Sequence, residues 1–276
     1  MKPMSHDVCR GALIVINNGI DSLRTQLRKS LQHINEDSRA YEIIFNVLHY
    51  GVTERDFLTQ SLFENPRFVK VLEVARKFLD SIYDMYDKLR DCAPDIASDV
   101  FNDVLTQLGH AKKPKYFVFC DGMSIREALY LADRLRAKSI KTIINPAGVT
   151  ETYKFILGAR EYVAEQPNLD EVIRRIAKGA GAPHIVFREY DEAIHQMEGP
   201  EGLDPRSIVE KMYSITQKLE LRMYSLKREG ATIVLLSDHG YDVVPVGSGK
   251  FRTQHGWNLR SLSILAPVMV VDPLLT

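Results

Sequence analysis

The chain has 276 residues, enough to bury a large core and to form one or two domains. With 45% hydrophobic and 26% charged residues, and 36 basic against 36 acidic side chains, its composition is typical of a soluble globular protein and excludes a globally basic nucleic-acid-binding chain. Three scattered cysteines are too few for a disulfide framework or a cysteine-rich zinc site, and no leader or apolar run of about 18 residues is present, so we expect a cytoplasmic protein without membrane contact.

The first part of the chain is predicted to be helical. Apolar residues recur at helical spacing over 21–34 and 39–50, while residues 12–16 fit either a strand or a buried helix. Asn65-Pro66 is a typical helix start, with Asn as the cap and Pro at the first helical position, and Pro94 opens a further helix. We expect residues 1–111 to form a helical module that packs on, caps or regulates the rest and offers a surface to a protein partner.

From residue 112 the pattern changes to strands alternating with helices. Short apolar runs typical of buried strands occupy 116–120, 140–144, 184–187, 231–237 and 262–271. Amphipathic helices are predicted between them, at 125–137, 152–163, 169–177 and 205–230. This alternation predicts an α/β domain over 112–276, with a mostly parallel sheet and helices on both faces.

Carboxylates and imidazoles follow several of these strands. Asp121 comes directly after the first strand, Asp238 and His239 follow the strand at 231–237, and His255 lies in the predicted loop before the last strand. Asp191 and His195 are four residues apart, which places both side chains on one face of a helical turn. Ligands bind at the carboxyl ends of the strands in open α/β sheets, so we expect these side chains to meet.

Three aspartates and three histidines are the donors that two divalent ions about 3.5–4 Å apart require. We therefore predict a site for two divalent metal ions, with zinc favoured and manganese as the alternative. Thr150 lies at a predicted helix start after the second strand, where the helix dipole and the cations would favour its alkoxide as a nucleophile. Singly, each of these residues is as well explained by a turn or a solvated pair.

The order of these motifs resembles the alkaline phosphatase superfamily of metal-dependent phosphate hydrolases, and in particular its PglZ-type branch. The closing motifs Ser237-Asp238-His239-Gly240 and His255-Gly256 are the most specific, and the resemblance covers about residues 114–276. The similarity extends over the segment 119–128 with Asp121, over 146–150 with Thr150 in the nucleophile's place, and over 190–200, where Asp191 and His195 precede Gly199-Pro200.

The resemblance implies an alkaline phosphatase-like core and a division of the six residues into two sets. Asp121, Asp238 and His239, joined by Thr150, would hold one zinc ion and are called the first ligand set. The second ligand set, which would hold the other ion, consists of Asp191, His195 and His255. Thr150 would attack phosphorus and form a phosphothreonine that water then hydrolyses. Neutral histidines are needed to bind metal, so activity is expected to fall below about pH 6.

One departure from the family pattern leaves the nucleophile open: the interval between Thr150 and Gly158 is short, so Thr152 and Ser124 remain rival nucleophiles. The absence of a Cys-x-Pro-x-Arg motif argues against a sulfatase. The favoured function is a metal-dependent phosphodiesterase acting on phosphate esters such as nucleotides or oligonucleotides. The alternatives are a phosphomonoesterase or phosphomutase using the same metals, and a non-catalytic regulatory module of a larger assembly. Basic residues close to the motifs are candidates for phosphate contacts: Arg126, Lys154, Arg188, Lys250 and Arg252.

Overall fold

The N-terminal part is helical in the computed structural model, which describes residues 6–49, 60–92, 115–146, 173–174, 177–255 and 262–272. Its helices are α1 (His6–Leu31), α2 (Asp37–Val47), α3 (Gln60–Phe63) and α4 (Pro66–Asp84), and residues 86–92 are helical as well. The ambiguous residues 12–16 belong to α1. Asn65 caps α4 as predicted, since its side chain accepts a hydrogen bond of 3.1 Å from the Arg67 N–H. None of the helices in these ranges is both long and apolar enough to cross a membrane.

Two of the three cysteines are paired, which their spacing in the sequence did not predict. Cys9 in α1 forms a disulfide with Cys92, at the end of the helical residues 86–92, while Cys120 is buried and free. Disulfides are rare in the reducing cytosol. The pair therefore weighs against the predicted cytoplasmic location, which stays a prediction.

The second part of the chain builds a five-stranded sheet. Its strands are β1 (Lys115–Cys120), β2 (Thr142–Pro146), β3 (His184–Phe187), β4 (Thr232–Ser237) and β7 (Pro267–Val271), in the order β2-β7-β4-β1-β3. β1 pairs in parallel with both β3 and β4, as the buried apolar runs predicted. β7 runs antiparallel to both β4 and β2, so the sheet is mixed.

Two helices of this part begin where the sequence predicts, and a third, short helix is predicted only as a helical turn that carries Asp191 and His195. Helix α5 (Ile125–Ala137) starts with a capping box in which Ser124 and Glu127 cap each other's backbone, and helix α7 (Pro205–Arg228) starts with Asp204 accepting from the Arg206 N–H. The short α6 (Glu189–Gln196) follows β3. Helices α5 and α7 pack against each other and against the sheet. The helices predicted at 152–163 and 169–177 lie largely outside the described residues, so the covering of both faces stays a prediction.

A β-hairpin precedes the last strand, where the sequence analysis expected a loop. Its strands are β5 (Asp242–Gly247) and β6 (Lys250–Gln254), paired antiparallel around Ser248 and Gly249. Thr253 and Gln254 are therefore strand residues, and His255 follows the end of β6. The predicted loop position of His255 is confirmed, whereas the strands before it were not predicted because Gly247 and Gly249 were not interpreted as a hairpin turn.

The helical part and the sheet share one hydrophobic core. Helix α2 packs on both α5 and α7, and its buried Tyr41 donates a hydrogen bond of 2.7 Å to Glu127 in α5. Glu127 is fully buried and also accepts from the Tyr241 hydroxyl (2.8 Å) and from both the hydroxyl (2.5 Å) and the N–H (3.1 Å) of Ser124. A buried carboxylate is tolerated only when donors surround it. These contacts tie α2 to the segment that follows β4.

Candidate metal centre

Two neighbouring parallel strands bring Asp121 and Asp238 together. Cys120 at the end of β1 lies opposite Ser237 at the end of β4, and the aspartates are the next residues of each strand. The Gly122 N–H donates a hydrogen bond of 3.1 Å to Asp238 Oδ1. The adjacency that the sequence pattern predicted at this edge of the sheet is confirmed.

Backbone contacts place Asp191 beside them. The Asp121 N–H donates to the carbonyl of Phe187 at the end of β3 (2.9 Å), and the Asp191 N–H at the start of α6 donates to the Asp121 carbonyl (3.0 Å). Gly122 makes this approach feasible, because its φ of +81° suits glycine and a Cβ there would lie 2.8 Å from Ile194 Cδ1 and 3.2 Å from the Asp191 nitrogen. Glycine at position 122 is therefore needed for packing against α6.

Three carboxylates surround one nitrogen of His239. Its Nε2 lies 3.5 Å from Asp121 Oδ1, 3.6 Å from Asp238 Oδ2 and 3.7 Å from Asp191 Oδ1. Asp238 and His239 are both buried, at 9% and 7% exposure. A single N–H cannot bond three carboxylates at once, whereas one cation placed among them could contact all of them.

The hairpin brings His255 to the same place. Thr253 in β6 donates from its N–H to the Met197 carbonyl (3.1 Å) and from its hydroxyl to the Ile194 carbonyl (2.7 Å), which fixes the hairpin to the end of α6. The His255 ring then stacks on the His239 ring with centroids 4.7 Å apart, and the His195 ring lies edge-on to the His255 ring at 4.9 Å.

The Nδ1 atom of each of the three imidazoles has a hydrogen-bond partner in the protein, and the Nε2 atoms of two of them face aspartates. His239 Nδ1 lies 3.0 Å from the Gly240 carbonyl, and the Nδ1 atoms of His195 and His255 lie 3.1 and 2.9 Å from the two oxygens of Glu198. The Nε2 atoms of His195 and His239 face aspartate oxygens at 3.4 to 3.7 Å. Histidines that bind metals are oriented in this way, with one nitrogen bonded to the protein and the other free for the ion.

All six predicted residues converge, and their groups of close donor atoms overlap between the two predicted sets. The first ligand set, Asp121, Asp238 and His239, is one group of mutually close donor atoms. The members of the second ligand set fall into two overlapping groups, since Asp191 groups with His239 and His255, and His195 groups with His255 and Glu198. Asp191 Oδ1 lies 3.4 Å from His195 Nε2 and so connects these groups. The sequence analysis missed Glu198, which lies two residues beyond the end of α6. A carboxylate three residues after a candidate histidine ligand is the signal that could have found it.

The distances between the donor atoms show which pairs are spaced as ligands of one metal ion and which are hydrogen-bonded to each other. Donor atoms of a tetrahedral site with bonds of about 2.0–2.2 Å lie about 3.3–3.6 Å apart. Three contacts of His239 and His195 with the aspartates, at 3.4 to 3.6 Å, match that spacing, and the fourth, between His239 and Asp191, is slightly longer at 3.7 Å. The contacts of Glu198, at 2.9 and 3.1 Å, are hydrogen-bond distances. The residues present therefore fit a divalent metal in both their chemistry and their separation.

No protein-family model matches this chain, and no curated protein matches it. The likeness to the alkaline phosphatase superfamily rests on the order of the motifs and stays a prediction. Support for a metal site comes from the geometry of these side chains.

Protonation of the buried groups reflects the excess of carboxylates. Burial raises the pKa of Asp238 to about 7, and the Asp121 carboxylate adds to this against the opposing effect of His239. Burial alone would lower the pKa of His239, but Asp238 and Asp121 raise it to about 9. Burial would likewise raise the pKa of Asp121, yet His239 and, more weakly, Arg188 hold it below its usual value. Protons thus partly neutralise the cluster when no metal is bound.

The candidate nucleophiles are only partly described. Thr150 and Thr152 lie outside the described residues. Ser124 is fully buried, and its hydroxyl lies 2.5 Å from the Glu127 carboxylate, which gives it the structural role of a helix cap. Among the phosphate-contact candidates, Arg126 is fully buried and donates to the Tyr241 carbonyl (2.8 Å), while Arg188 is exposed at the start of α6 and acts on Asp121.

Proposed function

We propose that this chain is a metal-dependent phosphodiesterase whose two divalent ions, with zinc favoured, lie among the three aspartates and three histidines. One observation carries the proposal: three carboxylates surround Nε2 of His239 at tetrahedral-ligand distances, while its Nδ1 is held by a backbone carbonyl. The first ligand set would hold one ion and the second the other, with Asp191 facing both. A PglZ-type domain of the alkaline phosphatase superfamily is the class that this proposal implies.

Bound dications would supply Lewis-acid stabilisation of the charge that develops on the attacking and leaving oxygens of a phosphate ester. The residues of the chain hold the donors in place: the backbone bonds among Asp121, Asp191 and Phe187 fix the carboxylates, and the Thr253 contacts fix His255. Thr150 is the proposed nucleophile. Arg188 is proposed to contact a non-bridging phosphate oxygen, since it is exposed and close enough to Asp121 to lower the pKa of that carboxyl.

Charge supports a diester substrate over a monoester. Two dications beside Asp121, Asp191, Asp238, Glu198 and Arg188 would leave one net positive charge among these described groups. A phosphodiester carries one negative charge, whereas a monoester carries up to two near neutral pH. The site therefore suits the charge of a diester such as an oligonucleotide linkage.

The test is hydrolysis of a chromogenic phosphodiester and a chromogenic monoester by protein loaded with zinc or manganese. We expect diester turnover that is lost in the His255→Ala and Thr150→Ala variants. Preference for the monoester would select the phosphomonoesterase or phosphomutase alternative. Turnover of neither ester, with metal bound in stoichiometric amount, would overturn the proposal and favour a non-catalytic regulatory module.

A further inference from the structure

Glu198 lies between two imidazoles of the second ligand set. Its Oε2 is 3.1 Å from His195 Nδ1, and its Oε1 is 2.9 Å from His255 Nδ1, so each carboxylate oxygen serves one ring. The two rings are nearly perpendicular, at 75°, and a single planar carboxylate reaches both.

The backbone fixes this arrangement. Glu198 follows Met197, whose N–H caps the end of α6 and whose carbonyl accepts from the Thr253 N–H in β6. His255 is two residues beyond Thr253, so the strand that carries His255 is bonded directly to the residue before Glu198. The contact therefore joins two elements that are already held together.

A carboxylate can only accept hydrogen bonds, so both Nδ1 atoms must carry hydrogen to bond Glu198. In a neutral imidazole the other nitrogen, Nε2, then presents its lone pair. His195 Nε2 faces Asp191 Oδ1 at 3.4 Å, the spacing of neighbouring metal ligands rather than of a hydrogen bond.

We propose that Glu198 is a positioning residue that fixes both His195 and His255 as Nδ1–H tautomers and so directs their Nε2 lone pairs to a metal shared with Asp191. This inference rests on the proposed metal site but assigns a role to a residue outside the six ligands. Glu198 itself is not a ligand, because its short contacts to the imidazoles are those of hydrogen bonds. Removing a residue that accepts a hydrogen bond from a metal-binding imidazole typically weakens metal affinity 10–100-fold.

The test begins with metal-free protein, so it does not depend on ester hydrolysis. Long-range proton–nitrogen correlation spectra of the imidazoles, taken at a pH at which both rings are seen to be neutral, report the tautomers directly. We expect both rings as Nδ1–H tautomers in the parent protein. In Glu198→Gln the single amide oxygen can accept from only one ring, and the amide NH2 donates to the other, so one ring should change tautomer.

Zinc or manganese titrations then measure the effect on binding. Glu198→Gln should weaken the affinity for the second of the two bound ions 10–100-fold, while both ions still bind at saturating metal concentration. The matched control is Glu192→Gln, which changes an exposed carboxylate on α6, the helix that precedes Glu198, and should leave tautomers and affinity unchanged. Unchanged tautomers in Glu198→Gln would overturn the proposal, and loss of one ion at saturation would show that Glu198 is a ligand. Absence of turnover in the ester assay would leave the tautomer result intact.

Discussion

Metal binding at the first ligand set should release protons, because two of its members hold protons in the metal-free protein. The pKa of His239 is raised to about 9 and that of Asp238 to about 7. Both groups must lose their protons to bind a cation. With these values about 1.5 protons should leave per ion at pH 7, and the apparent affinity should rise about 15-fold between pH 7 and pH 8. Ligands with ordinary pKa values would release about 0.2 protons, and the apparent affinity would rise less than about 1.5-fold over the same pH interval.

The measurement is isothermal titration of manganese(II) into metal-free protein at both pH values, in two buffers whose ionisation enthalpies differ. The buffer dependence of the heat gives the number of protons released. His255→Ala removes a donor of the second ligand set while keeping all three members of the first, and so isolates the contribution of the first set. Release below about half a proton, together with an affinity that is flat over this pH interval, would refute the assignment of a cation to this set. The raised pKa values also move the loss of metal to a higher pH than the value of about 6 expected from the sequence.

Three substitutions test the architecture of the site and its support. Gly122→Ala should lower the free energy of unfolding, measured by urea denaturation, by roughly 1–3 kcal/mol. The loss should exceed that of Gly230→Ala, because Gly230 has a similar φ of +80° but a Cβ there would meet no atom within 4 Å. Equal losses would show that the contact with α6 is unimportant. Tyr41→Phe removes one donor to the buried Glu127 carboxylate and should cost roughly 1.5–3 kcal/mol in the same assay; no loss would mean that α2 is not coupled to that carboxylate. Asp191→Asn should reduce bound metal from two ions to fewer than one by elemental analysis, since its carboxylate faces both ligand sets, and retention of one full ion would instead restrict it to a single set.

Local signals predicted the elements with clear ends. Asn65-Pro66, Ser124 with Glu127, and Asp204-Pro205 each begin a helix in the structure, because a side-chain acceptor before the first turn satisfies free backbone N–H groups. The strand at 184–187 is confirmed with the same bounds. These features depend on residues that are close together in the sequence, so they can be predicted from it.

Features set by distant pairing were not predictable in the same way. An apolar run such as that of β7 is equally compatible with either strand direction, and only its partners β2 and β4 make it antiparallel. The six site residues could be predicted to meet because each follows a strand or a helical turn at one edge of the sheet. The way in which these residues group could not be predicted, since it depends on the hairpin that carries His255 and on Glu198. Glu198 neither follows a strand directly nor has an aspartate beside it in the sequence, so the patterns that indicated the other site residues did not mark it.

The backbone bonds that run from Phe187 through Asp121 to Asp191 also bear on which ions the site accepts. Aspartate has a single methylene group between its carboxylate and the main chain, so donors anchored at successive hydrogen-bonded positions can move outward very little. A pocket of this kind suits bonds of about 2.0–2.2 Å and resists the expansion to about 2.3–2.6 Å that calcium requires. Discrimination by ionic radius would thus follow from how rigidly these hydrogen bonds hold the main chain beneath the carboxylates.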